Sequence, residues 1–272
     1  MEALLAALAD ERCSVPLDIA TLELAEIEYP GLDHGPPLEM LDRLASRTAD
    51  HLDREAGGAD FVEAANHVIF ETYRFHGNET NYYDPRNSFL NDVLARRTGI
   101  PLTLSIVYIE VARRLARPVY GVGLPGHFLV RYDDSDYQAF LDPFHTGRAL
   151  SAEQCHELAK SVTGTDASAN PLVLSPVSTR YILVRMLNNL KAIYLRQESW
   201  EKVLPILNLL LHAMPGDAGE HRTRGLVHMR LQRLADARTD LRRYLDLAPD
   251  PGDREAIAAE LRKIHRMLAA LN

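Results

Sequence analysis

Apolar residues recur at helical spacing through most of this chain. In the first 76 residues Leu4, Leu5, Leu8 and Ala9 fall on one face of a helix. Leu17, Ala20, Leu24 and Ile27 continue a second stripe, with Ser14 or Val15 at its boundary and Pro16 in the first turn. Pro30-Gly31 and Gly35-Pro36-Pro37 interrupt the pattern before Leu38, Leu41, Leu44 and Ala45 resume it. Gly57-Gly58 is the next break, and Asp60 then caps a predicted helix carrying Phe61, Ala64, Ala65, Val68, Ile69 and Tyr73. Residues 77–100 are different: Gly77-Asn78, Asp84-Pro85 and Asn87-Ser88 mark a turn-rich loop. Within it, a short helix from Phe89 to Arg97 is capped by Asn87 or Ser88 and ends at Gly99. Pro101 to Leu115 is apolar on nearly every side until Glu110, Arg113 and Arg114, which predicts a central buried helix.

The period then changes to that of strands. Phe128–Tyr132 and Tyr137–Leu141 flank the polar cluster Asp133-Asp134-Ser135-Asp136, which predicts a β-hairpin. If Asp134-Ser135 is a two-residue loop, Asp133 pairs with Asp136 and His127 directly opposes Asp142. A one-residue slip would put those two on opposite faces, and a longer loop is the alternative. A carboxylate beside an imidazole is the orienting half of a nucleophilic triad. It is also a common structural hydrogen bond, and spacing alone favours that second reading.

Residues 163–178, TGTDASANPLVLSPVS, form the linker candidate. Beyond it the pattern is helical and repeats. Met214-Pro215-Gly216-Asp217 and Ala248-Pro249-Asp250-Pro251 recur with a period of about 34 residues, the tetratricopeptide spacing. Leu187, Leu190, Tyr194, Val203 and Leu207 fill the packing faces of the first unit. Ala237, Leu241 and Tyr244 fill those of the second, with Gly225 at a close helix approach and a last helix from Asp253 to Leu271 as a cap. Trp200, the single tryptophan, is read as packing between the helices of the first unit. So short an array is expected to lean on the preceding domain. It then either presents a concave surface to a peptide or partner helix or serves as a buttress. The predicted organisation is helices over 1–76, a core over 77–162, the linker over 163–178 and repeats over 179–272.

The composition narrows the function classes. The 272 residues carry a formal net charge of −8, which argues against nucleic acid or an anionic membrane as partner. Cys13 and Cys155 form no disulfide framework and no CxxC pair, and no HExxH motif occurs. The acidic first residues lack a basic leader region and no apolar run reaches membrane-span length, so a cytosolic protein is expected. No cofactor motif is present. A metal site would need three or four converging ligands. Of His127, Asp142 and His145 the sequence places two, so no metal is assigned.

Five words in order resemble a known family. They are Asn81-Tyr82-Tyr83-Asp84-Pro85, Asn87-Ser88-Phe89-Leu90-Asn91, Arg97 through Ser105, Pro125-Gly126-His127-Phe128, and Asp142-Pro143-Phe144. This resembles the transglutaminase-like core of the papain-related superfamily, and within it the SirB-type proteins of bacteria, which commonly carry such repeats. The resemblance implies an α+β fold: N-terminal helices and a buried helix on a small antiparallel sheet, followed by an all-α repeat domain. It implies His127 and Asp142 at the triad positions of the imidazole and carboxylate. The nucleophilic Cys of the family would fall near Pro101 or Leu102, where this chain has no thiol. Thr103 and Ser105 are the nearest hydroxyls, and Cys155 and Cys13 are read as small buried residues. If the 77–100 loop lines the site, Asn81, Tyr83, Asn87 and Asn91 are its binding candidates; otherwise the same residues bond to backbone. The expected function is a non-catalytic interaction or regulatory scaffold with a protein or peptide partner. The alternative is a peptide or amide hydrolase or acyltransferase. It would use His127 as base, Asp142 as orienter, and Thr103, Ser105 or a water as nucleophile.

Overall fold

The computed structural model describes residues 1–13, 15–164, 171–247 and 252–270. Ser14, residues 165–170 of the linker candidate, the Ala248–Pro251 junction and residues 271–272 lie outside the described residues. The chain divides into two compact units, Met1–Met186 and Leu187–Asn272. No helix among the described residues is long and apolar enough to cross a membrane.

The first unit begins with α1 (Glu2–Ala9), α2 (Leu17–Ala25) and α3 (Gly35–Ala49). Helix α4 (Gly58–Asn66) starts on Gly57. Asp60 is therefore not its cap but lies in its first turn, where Oδ2 accepts the Gly57 N–H at 2.7 Å. The helix continues as a π-helical turn over His67–Thr72. A parallel two-residue pairing of β1 (His76–Gly77) with β2 (Thr98–Gly99) then closes the base of the intervening loop.

Within that loop α5 spans Leu90–Arg96, and the sequence reading of its ends needs correction. Phe89 precedes it with no side-chain cap, because the Asn87 amide is turned into the loop. It ends on Arg97 in the left-handed conformation, φ 57°, rather than at Gly99. Gly99 serves a different need: a Cβ there would lie 2.7 Å from Thr103 Oγ1.

Helix α6 (Pro101–Arg114) is the buried centre that its all-round apolar pattern predicts, with Leu102, Leu104, Ile106, Val107, Tyr108 and Val111 all enclosed. It packs on β3 (Val119–Leu124) and β4 (His127–Asp133). With β5 (Gln138–Asp142) and β6 (Arg148–Leu150) these form an antiparallel sheet in the order β3-β4-β5-β6. Helix α7 (Ala152–Thr163) follows. At the end of α6, Arg113 and Arg114 reach Asp18 at 3.1 and 2.6 Å and both bind Glu110, so the buried carboxylates are paired. Tyr108 packs among Phe61, Phe70 and their neighbours, and its hydroxyl has no hydrogen-bond partner. An unpartnered buried hydroxyl is unfavourable, so Tyr108→Phe is expected to raise stability by about 1 kcal/mol. Urea unfolding of the two proteins checks this; a lower midpoint for the variant would show that the hydroxyl is satisfied.

The second unit takes in the end of α8 (Thr179–Arg196) with α9 (Trp200–Ala213), α10 (Ala218–Arg230), α11 (Leu234–Asp246) and α12 (Arg254–Ala270). Leu190, Tyr194, Val203, Leu207, Ala237, Leu241 and Tyr244 are buried, as their spacing predicts. A Cβ on Gly225 would lie 2.7 Å from Leu241 Cδ2, which is why α10 carries a glycine where α11 crosses it. Trp200 is half-buried, with the Arg230 guanidinium 5.9 Å from its ring.

Candidate functional site

The site is built where β5 ends. Pro143 suits a first helical position, and Pro143–His145 form one 3-10 turn capped by Asp142. Asp142 Oδ1 accepts the backbone N–H of Phe144 at 3.1 Å and of His145 at 3.3 Å. That fixes the carboxylate and leaves Oδ2 for side chains. His127 Nε2 lies 2.9 Å from this oxygen and His145 Nδ1 lies 2.7 Å from it. Asp142 is 1% exposed and His127 8%, whereas the His145 ring is half-exposed.

The hairpin does not have the expected two-residue loop. Asp133 pairs with Gln138 and Val130 with Leu141, so the loop is the four residues 134–137. Asp134 accounts for the extra length. Its Oδ1 accepts the N–H groups of Asp136 and Tyr137 at 2.9 and 2.7 Å, and its own N–H donates to the Tyr137 carbonyl. Side-chain bonds of this kind hold a turn that the residue types alone leave open. His127 and Asp142 are therefore diagonal rather than directly opposed. A shift of two residues keeps the same face, so the imidazole still reaches the carboxylate.

Phe144 ties this corner to the loop after β1. Its ring meets those of His127 and Tyr82 edge-on, at 6.2 and 6.3 Å. A Cβ on Gly77 would lie 2.5 Å from the Phe144 ring, so only glycine admits that approach. The loop is held from within by Asn87, which is fully buried. Its Nδ2 donates to the carbonyls of Asn81 and Tyr82, and its Oδ1 accepts from Asn78 and Arg96. The binding candidates thus differ in what they can offer. The Asn87 amide is engaged inside the loop. Asn81 is exposed, and Tyr83 is 56% exposed with its ring edge-on to Tyr82. Asn91 is half-buried, with an unpartnered Oδ1.

Burial raises the Asp142 carboxyl, but the hydrogen bonds and charge of His127 and His145 outweigh it and hold the group below the usual range. The candidate nucleophiles lie in other environments. Thr103 is fully buried near the start of α6, where its hydroxyl donates to the Asn87 carbonyl at 2.7 Å and accepts the Ile100 N–H at 3.1 Å. Ser105 is fully buried with an unpartnered Oγ. Cys155 is enclosed with Val122, Leu124, Leu129 and Leu150, and burial together with the Asp142 charge pushes its thiol up to about 11. Cys13 is half-buried. The residue that sequence reasoning named without placing is His145. The available signal was the order Asp-Pro-Phe-His: a capping Asp followed by Pro starts a tight turn, which brings the residue three positions on back to the cap.

Residues 37–188 match the transglutaminase-like superfamily, and residues 190–262 match the tetratricopeptide repeat. A UPF0162 protein of Xylella fastidiosa is 36% identical over 264 residues, covering 94% of this chain and 92% of its own. The UPF0162 protein PA3419 of Pseudomonas aeruginosa is 30% identical over 242 residues, covering 89% and 88%. The F-box only protein 21 of Mus musculus is 32% identical over 167 residues, which is 57% of this chain and 25% of that protein. The extent of the match over the core and the near-full-length similarity to the bacterial proteins lead to one conclusion: the chain belongs to the transglutaminase-like superfamily, among its UPF0162 members.

Proposed function

We propose that this protein is a SirB-type transglutaminase-like protein that has lost thiol chemistry and acts as an interaction scaffold for a protein or peptide. The observation that carries this reading is the start of α6. By the family resemblance the nucleophile position falls near Pro101 or Leu102, and the nearby Thr103 hydroxyl is engaged as a helix cap between Asn87 and Ile100. A nucleophilic hydroxyl needs its base within hydrogen-bond reach, and Thr103 has both its bonds elsewhere. Cys155 supports the same reading, since a thiol with a pKa near 11 is protonated at neutral pH and inert as a nucleophile. The repeat unit supplies the kind of stacked helical surface on which peptides and partner helices dock. Both cysteines are free, which fits a reducing, cytoplasmic setting.

The test is a turnover assay on the full chain. Glutamine-containing peptides with a fluorescent amine probe acyl transfer, and peptide amides probe hydrolysis. The wild type is expected to show no turnover above that of His127→Ala. Turnover in the wild type that His127→Ala removes would overturn the scaffold reading.

A further inference from the structure

We propose that His127, Asp142 and His145 bind one divalent transition-metal ion, with Zn²⁺ the best-fitting ion. The nitrogens of the two rings and one carboxylate oxygen all lie within 4.8 Å of one another. A triad needs one imidazole on its carboxylate. Here two imidazoles converge on the same oxygen, at 2.9 and 2.7 Å, and the second has no role in acyl transfer. A metal centre uses both.

The spacing fits. Zinc binds nitrogen and oxygen donors at about 2.0–2.2 Å in a tetrahedral array, so its donors stand roughly 3.3 Å apart. The two oxygen-to-nitrogen edges of this triangle, 2.9 and 2.7 Å, are somewhat shorter than that, so a small outward shift of the rings would admit the ion. Two imidazoles and a carboxylate suit a transition metal; Mg²⁺ prefers an all-oxygen shell. The outer support is also in place. Asp142 Oδ1 is held by the N–H groups of Phe144 and His145, which aims Oδ2 at the two rings. Phe144 packs edge-on against both imidazoles, at 6.2 and 5.2 Å. The half-exposed His145 gives an ion a path from solvent. To bind the ion each ring must turn a lone pair toward it, His127 from Nε2 with its proton on Nδ1 and His145 from Nδ1 with its proton on Nε2.

The experiment titrates chelator-stripped full-length protein with Zn²⁺ by calorimetry and against a chromophoric chelator. One Zn²⁺ per chain is expected, with no binding of Mg²⁺. His145→Ala, a change at a half-exposed position, is expected to weaken Zn²⁺ at least about tenfold. His67→Ala, which alters an exposed histidine elsewhere, should bind as the wild type does. Circular dichroism checks that both variants are folded. Absence of stoichiometric binding, or unchanged binding in His145→Ala, would overturn the site. The scaffold reading stands separately. Turnover that appears only with Zn²⁺ and is lost in His145→Ala would support the metal site and overturn that reading. A failure to bind Zn²⁺ would remove the site and leave that reading as it was.

Discussion

Replacing Asp142 by Ala in metal-free protein is expected to destabilise the first unit by about 3 kcal/mol. The carboxylate has two tasks. Oδ1 caps the 3-10 turn through two backbone N–H groups, and Oδ2 holds two imidazoles. Removing it leaves the buried His127 ring without its partner, and unmade bonds of buried groups cost more than made ones contribute. His145 is half-exposed and can turn to water, so it adds little to the loss. Asp142→Asn keeps an oxygen for the cap and replaces the second oxygen with an amide that the rings can accept from, so about 1 kcal/mol is expected. Hydrogen exchange over residues 127–148 is the measurement. Faster exchange in Ala than in Asn, and in Asn than in wild type, is expected. Equal exchange in all three would show that the carboxylate does not hold this corner together.

In the repeat unit the largest effect is expected at Asp240, which is 3% exposed in α11. Arg224 grips it with two bonds of 2.7 Å, and His221 Nδ1 lies 3.0 Å away. Breaking a buried pair leaves an uncompensated charge, so Asp240→Ala is expected to cost about 3–5 kcal/mol. Trp200 is the single tryptophan and lies in this unit, so its fluorescence during urea unfolding reads the change directly. Asp240 also gives a pH signature. Burial raises its carboxyl, but Arg224 and His221 outweigh this and hold it below its ordinary value of 3.8. A group depressed in the folded state binds fewer protons there than in the unfolded chain. Its stabilisation is therefore complete above the ordinary value. It is lost as pH falls from there through the lower, folded value. The gap between wild type and Asp240→Asn is expected to shrink as pH falls below 3.8. A gap that stays constant down to pH 2 would show that Arg224 and His221 do not shift this carboxyl.

Much of the architecture was legible in the chain. The all-round apolar run from Pro101 has one stable home, the centre of a packed unit, and α6 is there. The recurrence of Met-Pro-Gly-Asp spacing and the small residue at Gly225 specify helix pairs in close contact, and the second unit is made of them. The ends of elements were less legible. Arg97 rather than Gly99 takes the left-handed turn after α5, because Gly99 is required where the backbone passes Thr103. A glycine has more than one use, and composition does not say which applies.

By itself the sequence determined the order of helices and strands, the family words around His127 and Asp142, and the absence of a thiol at the start of α6. Those depend on local periodicity and residue type, which are written one position at a time. The tertiary structure decided the rest. Strand alternation fixes which face a residue takes but leaves registers two apart equivalent, so the four-residue loop was settled by the Asp134 side chain. It also decided that Asn87 bonds within its own loop and that Thr103 caps α6. The convergence of His145 with His127 on one oxygen of Asp142 depends on the path of a single 3-10 turn. Distances of a few ångströms between residues on different elements follow from how those elements pack, and no local pattern contains them.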